Sequence, residues 1–182
     1  GIITMLIAAT HREWLAGAVL NDVGPTLDEA GLDRIRGYVG VGQSHPSWVH
    51  AALALEEANG DVYPAYGLEQ WLAMAKRLYR LNSGGRIVLD YDMRIAEPLR
   101  APGGEAGVDM WPVMAAFQGI PTLLLRGGRS DLLSAPTAER MAREVGASAE
   151  LVTVPDVGHA PALDEPEAAA GIDRLLERVL RG

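Results

Sequence analysis

Leu123-Leu-Leu-Arg-Gly-Gly-Arg-Ser-Asp131 and Val152-Thr-Val-Pro-Asp-Val-Gly-His159 decide how this sequence is read. Each is an apolar run that closes in a glycine-bearing turn and then delivers one side chain capable of acid–base chemistry. Continuous apolar runs are the pattern of parallel strands covered on both faces. Between them Ser134 can cap a helix reaching to about Val145, so the order is strand, helix, strand, the right-handed crossover unit of an α/β sheet. Ligands gather beyond the carboxyl ends of such strands. Neighbouring strands lie about 4.8 Å apart, so Asp131 and His159 emerge at one edge. There Asp131 can accept the Nδ1 proton of His159, fix its tautomer and stabilise an imidazolium formed during general-base catalysis.

The same grammar extends in both directions. Downstream, Asp164, Pro166 and Glu167 open a last helix ending near Arg181. Upstream, the strand before Asp131 runs from Ile120 to Leu125, and Asp109 can cap a helix through Phe117 that leads into it. Earlier still, Ala16-Gly-Ala-Val-Leu-Asn21 reads as a short buried strand closed by Asp22-Val-Gly-Pro25. Asp22 is therefore a rival acid at the same edge, although the commoner role of such a residue is to hold the turn before the proline. Gly1 to Glu13 is apolar on almost every face, the mark of a buried helix.

From about Thr26 to about Arg100 the character changes. Thr26 and Glu29 have capping-box spacing, and amphipathic helices are expected over 27–38, 47–59 and 68–81. Arg86 to Asp90 reads as a short strand or an extended return, and Pro102-Gly-Gly104 as a loop. The expected organisation is a core from 1–25 and 101–182, with a helical lid inserted at 26–100.

Composition bounds the function. The 182 residues carry a formal net charge of −8, with 48% hydrophobic and 22% charged residues, which is ordinary globular chemistry. An acidic surface without a basic stripe argues against nucleic acid and anionic membrane as partners. Cysteine is absent, which removes disulfides, thiolate metal sites and a thiol nucleophile, and fits the cytoplasm. The apolar start is too short to span a bilayer and lacks the basic residues of a signal peptide.

Leu123–Asp131, Asp156-Val-Gly-His159 followed by Pro161 and Asp164-Glu-Pro166, and Ala18-Val-Leu-Asn-Asp-Val-Gly-Pro25 together resemble the α/β-hydrolase superfamily, in particular its lidded esterases, enol-lactonases and meta-cleavage product hydrolases. The resemblance covers the chain from end to end but only the C-terminal half of the family pattern. It implies a Ser, then Asp or Glu, then His triad in chain order, with Asp131 and His159 in the second and third places. The G-x-S-x-G elbow is absent. Ser44 has Pro46 where the last glycine belongs, and Ser130 and Ser134 sit in the acid loop. Gly1 resembles the last glycine of an elbow, which would put the serine two or three residues before it. The oxyanion donors would lie upstream as well.

The implied activity is hydrolysis of a carboxylic ester, lactone or related bond through a serine upstream of this stretch. The substrate would be a small apolar or aromatic ester-like molecule, and the missing N-terminal segment would be a partner. Trp48, Trp71 and Trp111 are candidate pocket residues, although tryptophans more often serve packing. No cofactor is expected, and no metal: His11, His45 and His50 lack ligand spacing. Gly37-Tyr-Val-Gly-Val-Gly42 follows no strand and is not a dinucleotide motif. The alternatives are a non-catalytic binding module on a truncated hydrolase fold, or the same fold with C–C hydrolase, epoxide hydrolase or dehalogenase chemistry.

Overall fold

The computed structural model describes residues 1–97 and 109–181. The chain divides into two compact units, Gly1–Leu32 with Gly107–Gly182, and Asp33–Ala106. The loop expected at Pro102–Gly104 lies outside the described residues.

The first unit is built on three parallel strands, β1 (Ala18–Asn21), β5 (Thr122–Gly127) and β6 (Ala149–Val154), in the order β1-β5-β6. Ala18 to Asn21 register against Thr122 to Leu125, and Thr122 to Gly127 against Ala149 to Val154. These are the three apolar runs of the sequence, and the crossover joining the last two is α6 (Ala135–Val145), capped by Ser134. β5 is central, and this is why its run is apolar at every position from Leu123 to Leu125.

The two faces of the sheet are covered differently. On one side Leu20 and Leu124 pack with Met5 and Ala8 of α1 (Ile2–Thr10), with Met114 of α5 (Trp111–Met114), with Phe117, and with Ala138, Met141 and Val145 of α6. On the other, α7 (Pro166–Arg181) lies so close that a Cβ on Gly171 would stand 3.2 Å from the Leu123 side chain. β1 pairs with β5 along one edge, and among the described residues no strand pairs with its other edge.

Helix α1 departs from the sequence expectation of a helix buried all round. It is shorter than 1–13, and only Met5 and Ala8 are buried, while Ile2, Ile3 and Leu6 are 54%, 74% and 48% exposed. Thr26 also departs: the helix starts at Glu29, and the Thr26 hydroxyl instead accepts from the Trp111 indole Nε1–H at 2.9 Å.

The second unit contains most of α2 (Glu29–Tyr38), then α3 (Trp48–Asn59) and α4 (Leu68–Leu78). Ser47 caps α3, its oxygen accepting the backbone N–H of His50. The unit also holds an antiparallel sheet that helical periodicity hid: β2 (Ser44–His45), β3 (Tyr79–Leu81) and β4 (Ile87–Leu89), in the order β2-β4-β3. The helix expected to run to Leu81 stops at Leu78, because Tyr79, Arg80 and Leu81 pair with Leu89, Val88 and Ile87. Arg86–Asp90, read as a short strand or an extended return, contains β4 at Ile87–Leu89.

Candidate active site

Three strand ends converge at the carboxyl edge of the parallel sheet. β1 ends at Asn21, and Asp22 follows in the left-handed region at φ 53°. Aspartate enters that region more readily than most residues, and the conformation turns its side chain off the strand line. The Asp22 backbone N–H still bonds Leu125 O at 2.8 Å, so the turn is anchored to β5.

The Asp22 carboxylate is fully buried and accepts three hydrogen bonds. Oδ1 accepts the backbone N–H of Gly127 at 2.9 Å. Oδ2 accepts the Ser130 hydroxyl at 2.6 Å and pairs with His159 Nδ1 at 2.9 Å. Burying a carboxylate is costly unless it is paired and hydrogen-bonded, and this one is both. The imidazole side chain of His159 is 23% exposed, so its ring is held at one nitrogen and open toward solvent. A carboxylate on Nδ1 leaves Nε2 as the basic nitrogen, the arrangement of a general base.

Glycine makes the approach possible. A Cβ on Gly127 would stand 2.3 Å from Gly158 O and 2.6 Å from Val157 O, so the backbone leading to His159 runs directly over it. The far side of that segment is held by Asn21, whose Nδ2 donates to Pro161 O at 3.0 Å. The segment carrying His159 is thus held from the ends of β5 and β1.

The sequence preferred Asp131 for this contact and kept Asp22 as the alternative. In the structure Asp22 is the residue bonded to His159 Nδ1. Asp131 is half-buried in the loop after β5, and its main chain lies against α2: a Cβ on Gly31 would stand 2.6 Å from Asp131 O. The neighbouring Leu132 O accepts from Asp28 N–H at 2.9 Å.

The tryptophans take separate places. Trp71 is buried in the second unit, with edge contacts to Tyr63 and Tyr66, so its ring is committed to packing. Trp48 opens α3 half-buried. Trp111, in the first unit, carries the Arg140 guanidinium 3.6 Å over its ring. Ser44 is exposed in β2, where its hydroxyl accepts from Arg86 Nε. Among the described residues no group of three or more His, Asp or Glu is placed to hold a metal ion, and no helix is long and apolar enough to cross a membrane.

Sequence reasoning missed Ser130, Gly127 and Asn21. The signal for the first two was present in Gly127-Gly-Arg-Ser130, a tight turn at a strand end with a hydroxyl in it. Nothing in the sequence marked Asn21.

The sequence matches the alpha/beta hydrolase family over residues 1–172. A 3-hydroxybutyrate-oligomer hydrolase of Cupriavidus necator is 32% identical over 178 residues, 93% of this chain and 59% of the relative. The crystal structure of an alpha/beta hydrolase from Novosphingobium aromaticivorans superposes with a TM-score of 0.90 at 56% identity, covering 97% of this chain and 62% of that one. An E-2-(acetamidomethylene)succinate hydrolase shares the fold at 20% identity, with a TM-score of 0.70 over 98% of this chain and 62% of its own. The chain therefore spans about three-fifths of the length of these relatives.

Proposed function

The chain belongs to the alpha/beta hydrolase family, and on that premise we propose that Asp22 and His159 are the acid and the base of a serine-hydrolase triad acting on carboxylic esters. The observation that carries this is the 2.9 Å pairing of a fully buried carboxylate with a half-open imidazole at the carboxyl edge of the sheet. His159 takes the proton of a serine hydroxyl through Nε2 as that oxygen attacks the ester carbonyl, and then returns it to the leaving alcohol. Asp22 holds the tautomer and stabilises the imidazolium between the two transfers. On this reading neither the serine nor the oxyanion donors are among residues 1–182, which span only about three-fifths of the length of the relatives.

The substrate class supported is a short ester of a hydroxy acid. That support is the resemblance to a hydrolase of 3-hydroxybutyrate oligomers. The test is release of free acid from a panel of linear hydroxyacid oligoesters, simple p-nitrophenyl esters and lactones by the intact protein, alongside its His159→Ala variant. Turnover of the oligoesters that His159→Ala abolishes is the expected result. Turnover that survives the substitution rejects the role of His159, and hydrolysis confined to lactones replaces the substrate class.

A further inference from the structure

We propose that Ser130 is a positioning residue for the acid, its hydroxyl locked into donating to Asp22 Oδ2, the same oxygen that serves His159. This rests on the reading of Asp22 and His159 given above.

A serine hydroxyl has one proton to give and two lone pairs to receive with. Both lone pairs of Ser130 Oγ are engaged, by the backbone N–H groups of Leu132 at 3.2 Å and Leu133 at 3.0 Å. The proton is then directed at Asp22 Oδ2, 2.6 Å away. That distance is typical of a hydroxyl on an ionised carboxylate, about 2.5–2.7 Å. Ser130 itself is seated by its backbone N–H, which donates to Gly127 O at 3.0 Å, while Gly127 N–H holds Asp22 Oδ1. One turn therefore grips both oxygens of the carboxylate.

Two consequences follow for His159. The carboxylate cannot rotate out of line with Nδ1, because Gly127 and Ser130 fix its plane. The charge on Oδ2 is also shared between two donors, so His159 feels less of it than it would from a carboxylate bonded to the imidazole alone. Other charged groups nearby in the fold are Arg126 near the end of β5 and Arg129, Asp131, Asp156, Asp164 and Glu165 on the loops that follow β5 and β6. They are the same in every variant compared, so a difference between variants reads the Asp22 carboxylate.

The experiment is a pH titration of His159 by nitrogen NMR in the intact protein labelled with 15N-histidine, with the signal assigned by its loss in His159→Gln. Ser130→Ala is expected to raise the midpoint by roughly half to one pH unit, and Ser130→Thr, which keeps the hydroxyl, to leave it within about 0.2. A midpoint that is unchanged or lower in Ser130→Ala overturns the proposal. A measurement on the unsubstituted protein does not depend on the alanine variant folding. The Ser130 hydroxyl proton should be protected from solvent exchange and its chemical shift should follow the His159 titration, and exchange at the rate of a free serine overturns the proposal equally. Asp22→Asn separates the two levels. If it leaves His159 titrating normally, the pairing itself is rejected. If it moves His159 and Ser130→Ala does not, only the role of Ser130 falls.

Discussion

The carboxylate of Asp22 and the imidazole of His159 are 137 positions apart in the chain and 2.9 Å apart in the fold. They meet because β1 and β6 both lie beside β5, and Gly127 at its end leaves room for the histidine segment to cross. The contact makes the choice between two strand-end aspartates testable.

In the intact protein, Asp22→Asn should lower kcat/KM by about 10³–10⁴, the scale seen when a triad acid can no longer hold the histidine tautomer. Asp131→Asn should cost less than about tenfold, since the Nδ1 bond is left in place. Parallel steady-state kinetics on one ester decide it. A severe Asp131→Asn beside a mild Asp22→Asn would return the acid role to Asp131.

Gly127→Ala should damage the fold and the site together. Its Cβ would meet the backbone oxygens of Gly158 and Val157 at 2.3 and 2.6 Å, and main chain yields less easily than a side-chain tip. The expected loss is about 1–3 kcal/mol, the range for overpacking, measured by denaturant unfolding. A larger fractional loss in kcat than in substrate affinity should accompany it, because the displaced segment carries His159.

Leu124→Ala should be costlier. Leu124 is buried between α1, α5 and α6 on the sheet face that holds Met5, Phe117 and Met141. Truncation leaves a cavity in a packed layer, with an expected loss of about 2–5 kcal/mol and little effect on the chemistry of the protein that remains folded.

The second unit should weaken in mild acid. Burial, and then the nearby Arg86 and His50, hold His45 below its ordinary value of 6.5, and its Nε2 has no hydrogen-bond partner among the described residues. The unfolded chain then binds the proton more readily than the folded one. Stability is complete above pH 6.5 and falls as the pH drops through that value, levelling off below the folded pKa. Thermal unfolding followed across this range should show the loss, and His45→Gln should flatten it. A wild-type curve that does not change with pH rejects the assignment.

Residues 1–182 expressed alone should associate or aggregate and show no esterase turnover. Ile2, Ile3 and Leu6 are exposed on α1, and one edge of β1 has no partner strand among the described residues. Open strand edges and exposed apolar faces both invite pairing with another chain. If a further segment supplies the proposed serine, adding it in trans should restore a soluble particle and activity. A stable monomer with turnover by itself would refute both the open-edge argument and the proposal that the serine lies outside residues 1–182.

The three parallel strands and their connecting helices were legible in the sequence, because each strand carries a short apolar run closed by a turn, continuous through Leu123–Leu125 in the central β5, and the Ser134 cap announces α6. The histidine was legible too, since a Gly-His pair directly after such a run can only emerge at the sheet edge. The choice between Asp22 and Asp131 was not. Both follow apolar strands, and which carboxylate reaches Nδ1 depends on a left-handed turn at Asp22 and on the close crossing over Gly127. Ser130 was hidden for the same reason, its partner being set by the fold of a turn. In the second unit Tyr79–Leu81 continues a helical rhythm, yet pairing with Ile87–Leu89 makes it a strand. Local pattern determines which segments are buried, because burial acts on each residue through its own side chain. Which polar groups meet is a property of three strand ends at once, and only the packed sheet brings them within hydrogen-bond distance.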